Sequence, residues 1–123
     1  MGKSVHNDVL DAALNYLKNN VDLMTVCSSE PTNLTEATST YKLASVAMGT
    51  SDFTVGEGSP NGREVAVGAK NSVSVDSTGS AEHIALVDSG TNLLYVTTCT
   101  KQSISSGNKV NIPTWDIRIA DPS

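Results

Sequence analysis

The fold is decided by two runs in the C-terminal half of the chain, Ala81-Glu-His-Ile-Ala-Leu-Val-Asp88 and Leu93-Leu-Tyr-Val-Thr-Thr-Cys-Thr100. Both are rich in β-branched and large apolar residues, which favour extended strands. Ser89-Gly90 lies between them, and a short break of this kind predicts a hairpin. A third run, Val110-Asn-Ile-Pro-Thr-Trp-Asp-Ile-Arg-Ile119, is extended in the same way, with Pro113 ending its first part or marking it as an edge. The three runs indicate a sheet and contain no candidate catalytic cluster.

The same two-residue period recurs through the middle of the chain, in shorter runs separated by turns. These additional strand-like runs are 23–27, 40–48, 53–55, 65–69 and 73–75. Within 40–48 the alternation slips near Ala44, which predicts a bulge. Together with the C-terminal runs, the pattern predicts a mainly β fold of about eight or nine short strands, arranged as an antiparallel β-sandwich or a barrel-like fold.

One stretch near the N-terminus has helical period instead. Its apolar residues are spaced by three or four positions: Leu10, Ala13, Leu14, Leu17 and Val21. Asn7 is suited to cap such a helix, and Asp8 and Lys18 carry the charges that favour its two ends. The spacing predicts one N-terminal α-helix over about 7–19. A helix with a single apolar stripe must bury it, and we expect it to lie on one face of the sheet.

Length and composition favour one small β domain. The chain has 123 residues, of which 38% are apolar, and Ser and Thr are abundant, as in strands and turns. Single cores usually organise about 100–200 residues, so we expect a single domain over 1–123, with the helix at about 7–19 and the β-sandwich at about 23–120.

Charge and hydropathy argue against two classes of partner. The formal net charge is −5, whereas nucleic-acid binding depends on neutralising phosphates with Lys and Arg. No apolar run approaches the roughly 18 residues that a membrane-spanning helix needs. The N-terminal residues lack the apolar core of a signal peptide. We therefore expect no nucleic-acid partner, no membrane partner and synthesis in a cytoplasm.

Cys27 and Cys99 are the two cysteines of the sequence. In a reducing compartment, buried thiols behave as small apolar residues, and this is the state expected of both. A disulfide between them stays open as an alternative if their strands are neighbours. Neither cysteine has a second Cys or His at the spacing of a zinc site, so we expect no metal and no cofactor.

Residue types that serve hydrolases are present, but not in a catalytic pattern. The chain contains no Gly-x-Ser-x-Gly elbow, and His83 lies inside a strand-like run, where a structural or surface histidine is the expected role. The acidic residues are scattered, and there are few aromatic residues to stack a sugar. We therefore expect no catalytic residues and no enzymatic activity.

Two features are candidates for contact with a partner. Gly56-Glu-Gly-Ser-Pro-Asn-Gly62 is unsuited to regular structure and predicts a loop, and its candidate contact residues are Gly56, Gly58, Pro60 and Gly62. Trp115 is the single tryptophan. A large aromatic ring of this kind favours a core or interface anchor over a sugar-binding platform.

Several motifs resemble small proteins from the structural gene modules of tailed bacteriophages and prophages, in the same order along nearly the whole chain. In the N-terminal half they are Asp8-Val-Leu-Asp-Ala-Ala-Leu-Asn-Tyr-Leu17, Val26-Cys-Ser-Ser-Glu-Pro-Thr32, Thr35-Glu-Ala37 and Tyr41-Lys-Leu-Ala44. In the C-terminal half they are Gly62-Arg63, His83-Ile-Ala-Leu-Val-Asp88, Leu94-Tyr-Val-Thr97, Val110-Asn-Ile-Pro113 and Trp115-Asp-Ile117. Members of this family are similar to head-decoration, or cement, proteins and to small tail accessory proteins.

The resemblance implies a non-enzymatic structural protein of the phage virion, made in the host cytoplasm. We expect first a capsid decoration protein that binds the major capsid protein on the outer head lattice, as a homo-oligomer. A tail or baseplate accessory protein, bound to tail proteins, is the alternative within the same class. A host-surface carbohydrate-binding module is the alternative from another class, and an aromatic-lined groove would favour it. The resemblance carries over no catalytic residues.

Overall fold

The computed structural model describes residues 6–57 and 62–119. Its elements, in chain order, are α1 (Asn7–Asn20), β1 (Leu23–Cys27), a π-helical turn (Glu36–Thr40), β2 (Lys42–Ala47), a 3₁₀ turn (Thr50–Asp52), β3 (Phe53–Glu57), β4 (Arg63–Val67), β5 (Lys70–Ser74), β6 (Gly79–Asp88), β7 (Asn92–Ile104), β8 (Lys109–Ile112) and β9 (Trp115–Ile119). The strand pairings are antiparallel. The mainly β fold with one N-terminal helix is therefore confirmed, and the described strands form open sheets rather than a closed barrel.

The chain divides into two compact units, each assembled from separate stretches. The first contains the described parts of Met1–Asn19, Gly49–Ala69 and Pro113–Ser123, and the second contains Asn20–Met48 and Lys70–Ile112. The chain therefore leaves the first unit after α1 and returns to it twice. The single domain expected over 1–123 stays a prediction.

The first unit consists of α1 and a three-stranded sheet in the order β3-β4-β9. Side chains alternate between the two faces of a strand, and one face of this sheet carries its buried apolar residues: Phe53, Val65, Val67 and Ile117. Arg63 lies on the same face and binds Asp11 of α1, which places the helix over it. Leu10 and Leu14 are buried, as the helical stripe predicts, while Leu17 is only half-buried.

The helix begins at Asn7, and His6 rather than Asn7 occupies the capping position. The His6 carbonyl accepts a hydrogen bond from the Val9 N–H at 2.9 Å, and His6 Nδ1 accepts one from the Asp8 N–H at 3.0 Å. An imidazole nitrogen thus satisfies one of the free N–H groups at the start of the helix.

The second unit contains a four-stranded sheet in the order β2-β1-β6-β7. β1 lies between β2 and β6 and is almost wholly buried, from Met24 to Cys27. The predicted bulge near Ala44 is confirmed: Val26 pairs with Ala44 but Cys27 pairs with Lys42, so that Leu43 is an extra residue of β2.

One face of this sheet is covered by the π-helical turn. Ala37 packs with Ala85 and Val87 of β6, and its carbonyl accepts a hydrogen bond from the Cys27 thiol at 3.6 Å. The sequence of this Ser- and Thr-rich segment did not predict a helical turn. Asn33 Oδ1 accepts the Glu36 N–H at 2.9 Å, so the segment starts as a capped helix does.

The predicted β6–β7 hairpin is confirmed, with Ser89 in its turn. β7 does not end near Cys99 but continues to Ile104. Opposite β6 it carries one extra residue near Leu94 and a wider irregularity between Thr98 and Gln102. These bulges allow a strand of 13 residues to follow one of 10.

A smaller two-stranded sheet, β5 with β8, completes the second unit. Ser72 adopts φ of +56° in β5, a left-handed conformation that is costly for a side chain-bearing residue. Asn111 of β8 accepts the Ser72 N–H on its Oδ1 at 2.8 Å. Pro113 follows the last residue of β8, as expected for a residue that cannot donate to a ladder.

Candidate functional site

The described residues of the predicted glycine-rich loop include Gly56 and Gly62. Gly56 belongs to β3 and pairs with Glu64 of β4, so the prediction that the loop begins at Gly56 is wrong: the strand continues to Glu57. Gly62 precedes β4 with φ of +80°, a conformation that glycine adopts without strain. The other two candidate contact residues of this loop, Gly58 and Pro60, lie outside the described residues.

Trp115 lies toward the other end of the same sheet. It is the first residue of β9 and pairs with Val67, which in turn pairs with Phe53. The row of the ladder that contains Trp115 is three rows from the row that contains Gly56, a distance of about 10 Å along the strands.

The two candidate features also belong to different faces. Successive rows of a ladder face opposite sides of the sheet. Because Trp115 and Gly56 are three rows apart, they belong to opposite faces. Trp115 is half-buried and shares the apolar face with Phe53. The structure therefore does not bring the predicted contact residues into one site, and their role at an interface stays a prediction.

The opposite face of this sheet forms a second candidate surface, which was not predicted from the sequence. We call it the outer face, and its residues are Thr54, Gly56, Glu64, Ala66, Asp116 and Arg118. Thr54, Asp116 and Arg118 are exposed, and the other three are half-buried. Glu64 and Arg118 are cross-strand neighbours, as are Ala66 and Asp116. The alternation of small or polar residues with apolar ones in 53–57 and 63–67 was the signal for it.

The outer face offers shape and hydrogen bonding rather than reaction chemistry. Ala66 on the central strand and Gly56 on the edge strand β3 are low points of the face, because neither carries a side chain longer than a methyl group, whereas Glu64 extends from the central strand beside Gly56. Asp116 and Arg118 supply one charge of each sign along β9. Such a surface can contact another protein closely and pair with charges on it.

His83 and Cys27 are the closest approach to a catalytic pair in the second unit. They are cross-strand partners in β6 and β1, and the buried Nδ1 of His83 has no hydrogen-bond partner among the described residues. Burial raises the pKa of the Cys27 thiol, which keeps it protonated and weakly nucleophilic near neutral pH. The pair therefore lacks the activated nucleophile that acyl-transfer chemistry needs.

The described residues contain no group of three or more His, Cys, Asp or Glu side chains placed to hold a metal ion. Within the same residues, no helix has both the length and the apolar character needed to cross a membrane. Comparisons with protein-family models, curated proteins and solved structures gave no match to this chain. Its role must therefore be inferred from its own residues.

Proposed function

We propose that this chain is a non-enzymatic structural protein of a tailed-bacteriophage virion, and that it decorates the outside of the head. The proposal rests on the resemblance of motifs along nearly the whole sequence, among them Val26–Thr32 and His83–Asp88. Its partner is the major capsid protein. The small β units, with open sheets and short turns, are suited to covering a surface.

The outer face is the observation that carries the proposal. Its side chains come from two alternate rows of the three-stranded ladder, Thr54 with Ala66 and Asp116, and Gly56 with Glu64 and Arg118, which lie about 7 Å apart along the strands. Ala66 on the central strand and Gly56 on the edge strand β3 are its low points, and Asp116 and Arg118 are exposed along the other edge strand, β9. A sheet face of this kind is suited to a protein–protein contact, whereas a substrate usually binds in a concave pocket.

A small contact is sufficient for a protein that occupies a repeated lattice. Each copy contributes a modest interface, and the many equivalent sites of a capsid multiply its effect on particle stability. The location of Trp115 on the apolar face of the sheet argues against the carbohydrate-binding alternative, which requires aromatic rings on an accessible surface.

The experiment that tests the proposal locates the protein on particles. Labelled protein is added to purified phage lacking it and imaged by electron microscopy. Label over the heads supports decoration. Label on tails alone supports the tail accessory function, and absence of label from both overturns the virion assignment.

Two charge variants test the outer face itself. Arg118→Glu changes an exposed cation of this face, and Lys109→Glu makes the same charge change on β8 of the second unit. Head binding that is weakened by Arg118→Glu and kept by Lys109→Glu supports the assigned surface. Equal binding of both variants would remove the outer face from the contact.

A further inference from the structure

The two edges of the four-stranded sheet differ in how they are protected. At one edge, Ala44 of β2 forms a bridge with Val75, and the Leu43 carbonyl accepts the N–H groups of Asp76 at 2.7 Å and Ser77 at 3.1 Å. The Lys42 ammonium lies 3.4 Å from the Asp76 carboxylate along the same edge. The segment after β5 thus forms hydrogen bonds along the outer edge of β2.

The opposite edge is β7, and the sheet order places no described strand beyond it. β7 is also the longest strand of the described residues, from Asn92 to Ile104. In an antiparallel ladder, alternate residues direct their N–H and C=O groups away from the partner strand. β7 therefore presents a long row of backbone donors and acceptors, which is the usual template for pairing with another strand.

The composition of this edge favours a second copy of the same chain. From Asn92 to Thr100 the strand has no charged side chain, although the whole chain carries a net charge of −5. Two copies of the same net charge repel each other on average, and between Asn92 and Thr100 they meet without charged side chains. Thr, Val and Leu fill the segment, and such residues stabilise strand pairing.

We propose that two copies of the chain pair antiparallel through β7 and join their four-stranded sheets across a two-fold axis. A strand edge is self-complementary in this arrangement, because each copy offers the donors that the other accepts. Between its two bulges, β7 has one regular stretch, Tyr95 to Thr98, opposite His83 to Leu86. This stretch is where the two strands meet. The inference does not depend on a virion function.

The test uses variants of Thr98, which is exposed in β7. Thr98→Lys and Thr98→Glu each place a charge at the proposed β7–β7 interface, and charged side chains commonly prevent edge strands from pairing. Thr98→Val keeps the shape and adds no charge. Thr54→Lys makes the charged change on β3, an edge strand of the other sheet.

Sedimentation equilibrium gives the outcome for the full chain. We expect a dimer for the parent, Thr98→Val and Thr54→Lys, and a monomer for Thr98→Lys and Thr98→Glu, with unchanged circular dichroism. A parent that stays monomeric over the whole concentration range, or an oligomer that both charged variants leave intact, would overturn the proposal. Hydrogen exchange of the parent adds a test without mutation: amides of 95–98 should become more protected as concentration rises, and concentration-independent exchange would contradict edge pairing.

Discussion

The guanidinium group of Arg63 in β4 binds the carboxylate of Asp11 in α1 through two of its nitrogens. Nε donates to Oδ1 at 2.7 Å, and Nη2 donates to Oδ2 at 3.3 Å. The two side chains are only 18% and 21% exposed, so the pair is shielded from water more than an ordinary surface pair. This contact fixes α1 over the apolar face of the three-stranded sheet.

Asp11→Asn should therefore destabilise the protein by about 1–2 kcal/mol, because it removes the negative charge that the partly buried guanidinium of Arg63 binds. Asp76→Asn makes the same chemical change in the more exposed pair with Lys42 and should cost less than about 0.5 kcal/mol. Denaturant unfolding measures both. Equal losses in the two variants would show that the Arg63 contact has no special role.

Leu14 is 1% exposed on the helix, and its neighbour Ala13 is exposed. Leu14→Asp would bury a carboxylate under α1 and should cost on the order of 3–5 kcal/mol. Ala13→Asp should cost less than about 1 kcal/mol, mainly through helix propensity. Thermal melting compares the two. A Leu14→Asp protein that melts with the parent would contradict the docking of the helix.

Both cysteines are free, and strand order explains why. Cys27 of β1 pairs with His83 of β6, which pairs with Thr98 of β7 beside Cys99. Cys27 and Cys99 are thus two strand spacings apart, about 9–10 Å, which is beyond the reach of a disulfide. Burial raises the pKa of both thiols.

We expect the half-buried Cys99 to react slowly with a thiol reagent in the native protein and the buried Cys27 to react only after unfolding. Cys99→Ala should abolish the native reaction, and Cys27→Ala should leave it unchanged. Fewer than two titratable thiols in the unfolded, unreduced protein would reveal a disulfide.

Asp22 and Ser89 connect the start of β1 to the β6–β7 turn. The Ser89 hydroxyl donates to Asp22 Oδ2 at 2.7 Å, and the Ser89 N–H donates to Oδ1 at 2.9 Å. These bonds, the hydroxyl bond first, lower the pKa of Asp22 below its ordinary value of 3.8. The stabilisation is complete above that value and is lost as pH falls through the lower pKa of the folded state.

Ser89→Ala should therefore reduce the free energy of unfolding modestly at neutral pH, and the difference from the parent should shrink as the pH falls below 3.8. Ser105→Ala, in the exposed turn before β8, is the control and should give no such pH dependence. A Ser89→Ala effect that grows toward low pH would contradict the assignment.

Local periodicity predicted most of the elements. The Leu10–Leu14 stripe predicted the helix, the turns delimited the strands, and the phase slip at Ala44 located a bulge. The turn at Glu36–Thr40 was missed because Thr and Ser have low helix propensity. Its signal was nevertheless in the sequence: Asn33 and Glu36 have the spacing of a capping box.

The surfaces were harder to predict than the elements, because they depend on strand order. The sequence placed Gly56 in a loop and Trp115 in an extended run, and only the register of β3, β4 and β9 shows that they occupy opposite faces of one sheet. The place of β7 as the last described strand of its sheet likewise follows from the strand order. No local pattern at Asn92–Ile104 distinguishes an edge strand from a central one.

The rupture temperature of phage heads, with and without bound protein, tests the central proposal most directly. Heads are prepared without the protein, saturated with the parent or with Arg118→Glu, and heated while the release of DNA is followed. We predict that the parent raises the rupture temperature and that the variant raises it less. An unchanged rupture temperature with the parent at saturating concentration would contradict the decoration function.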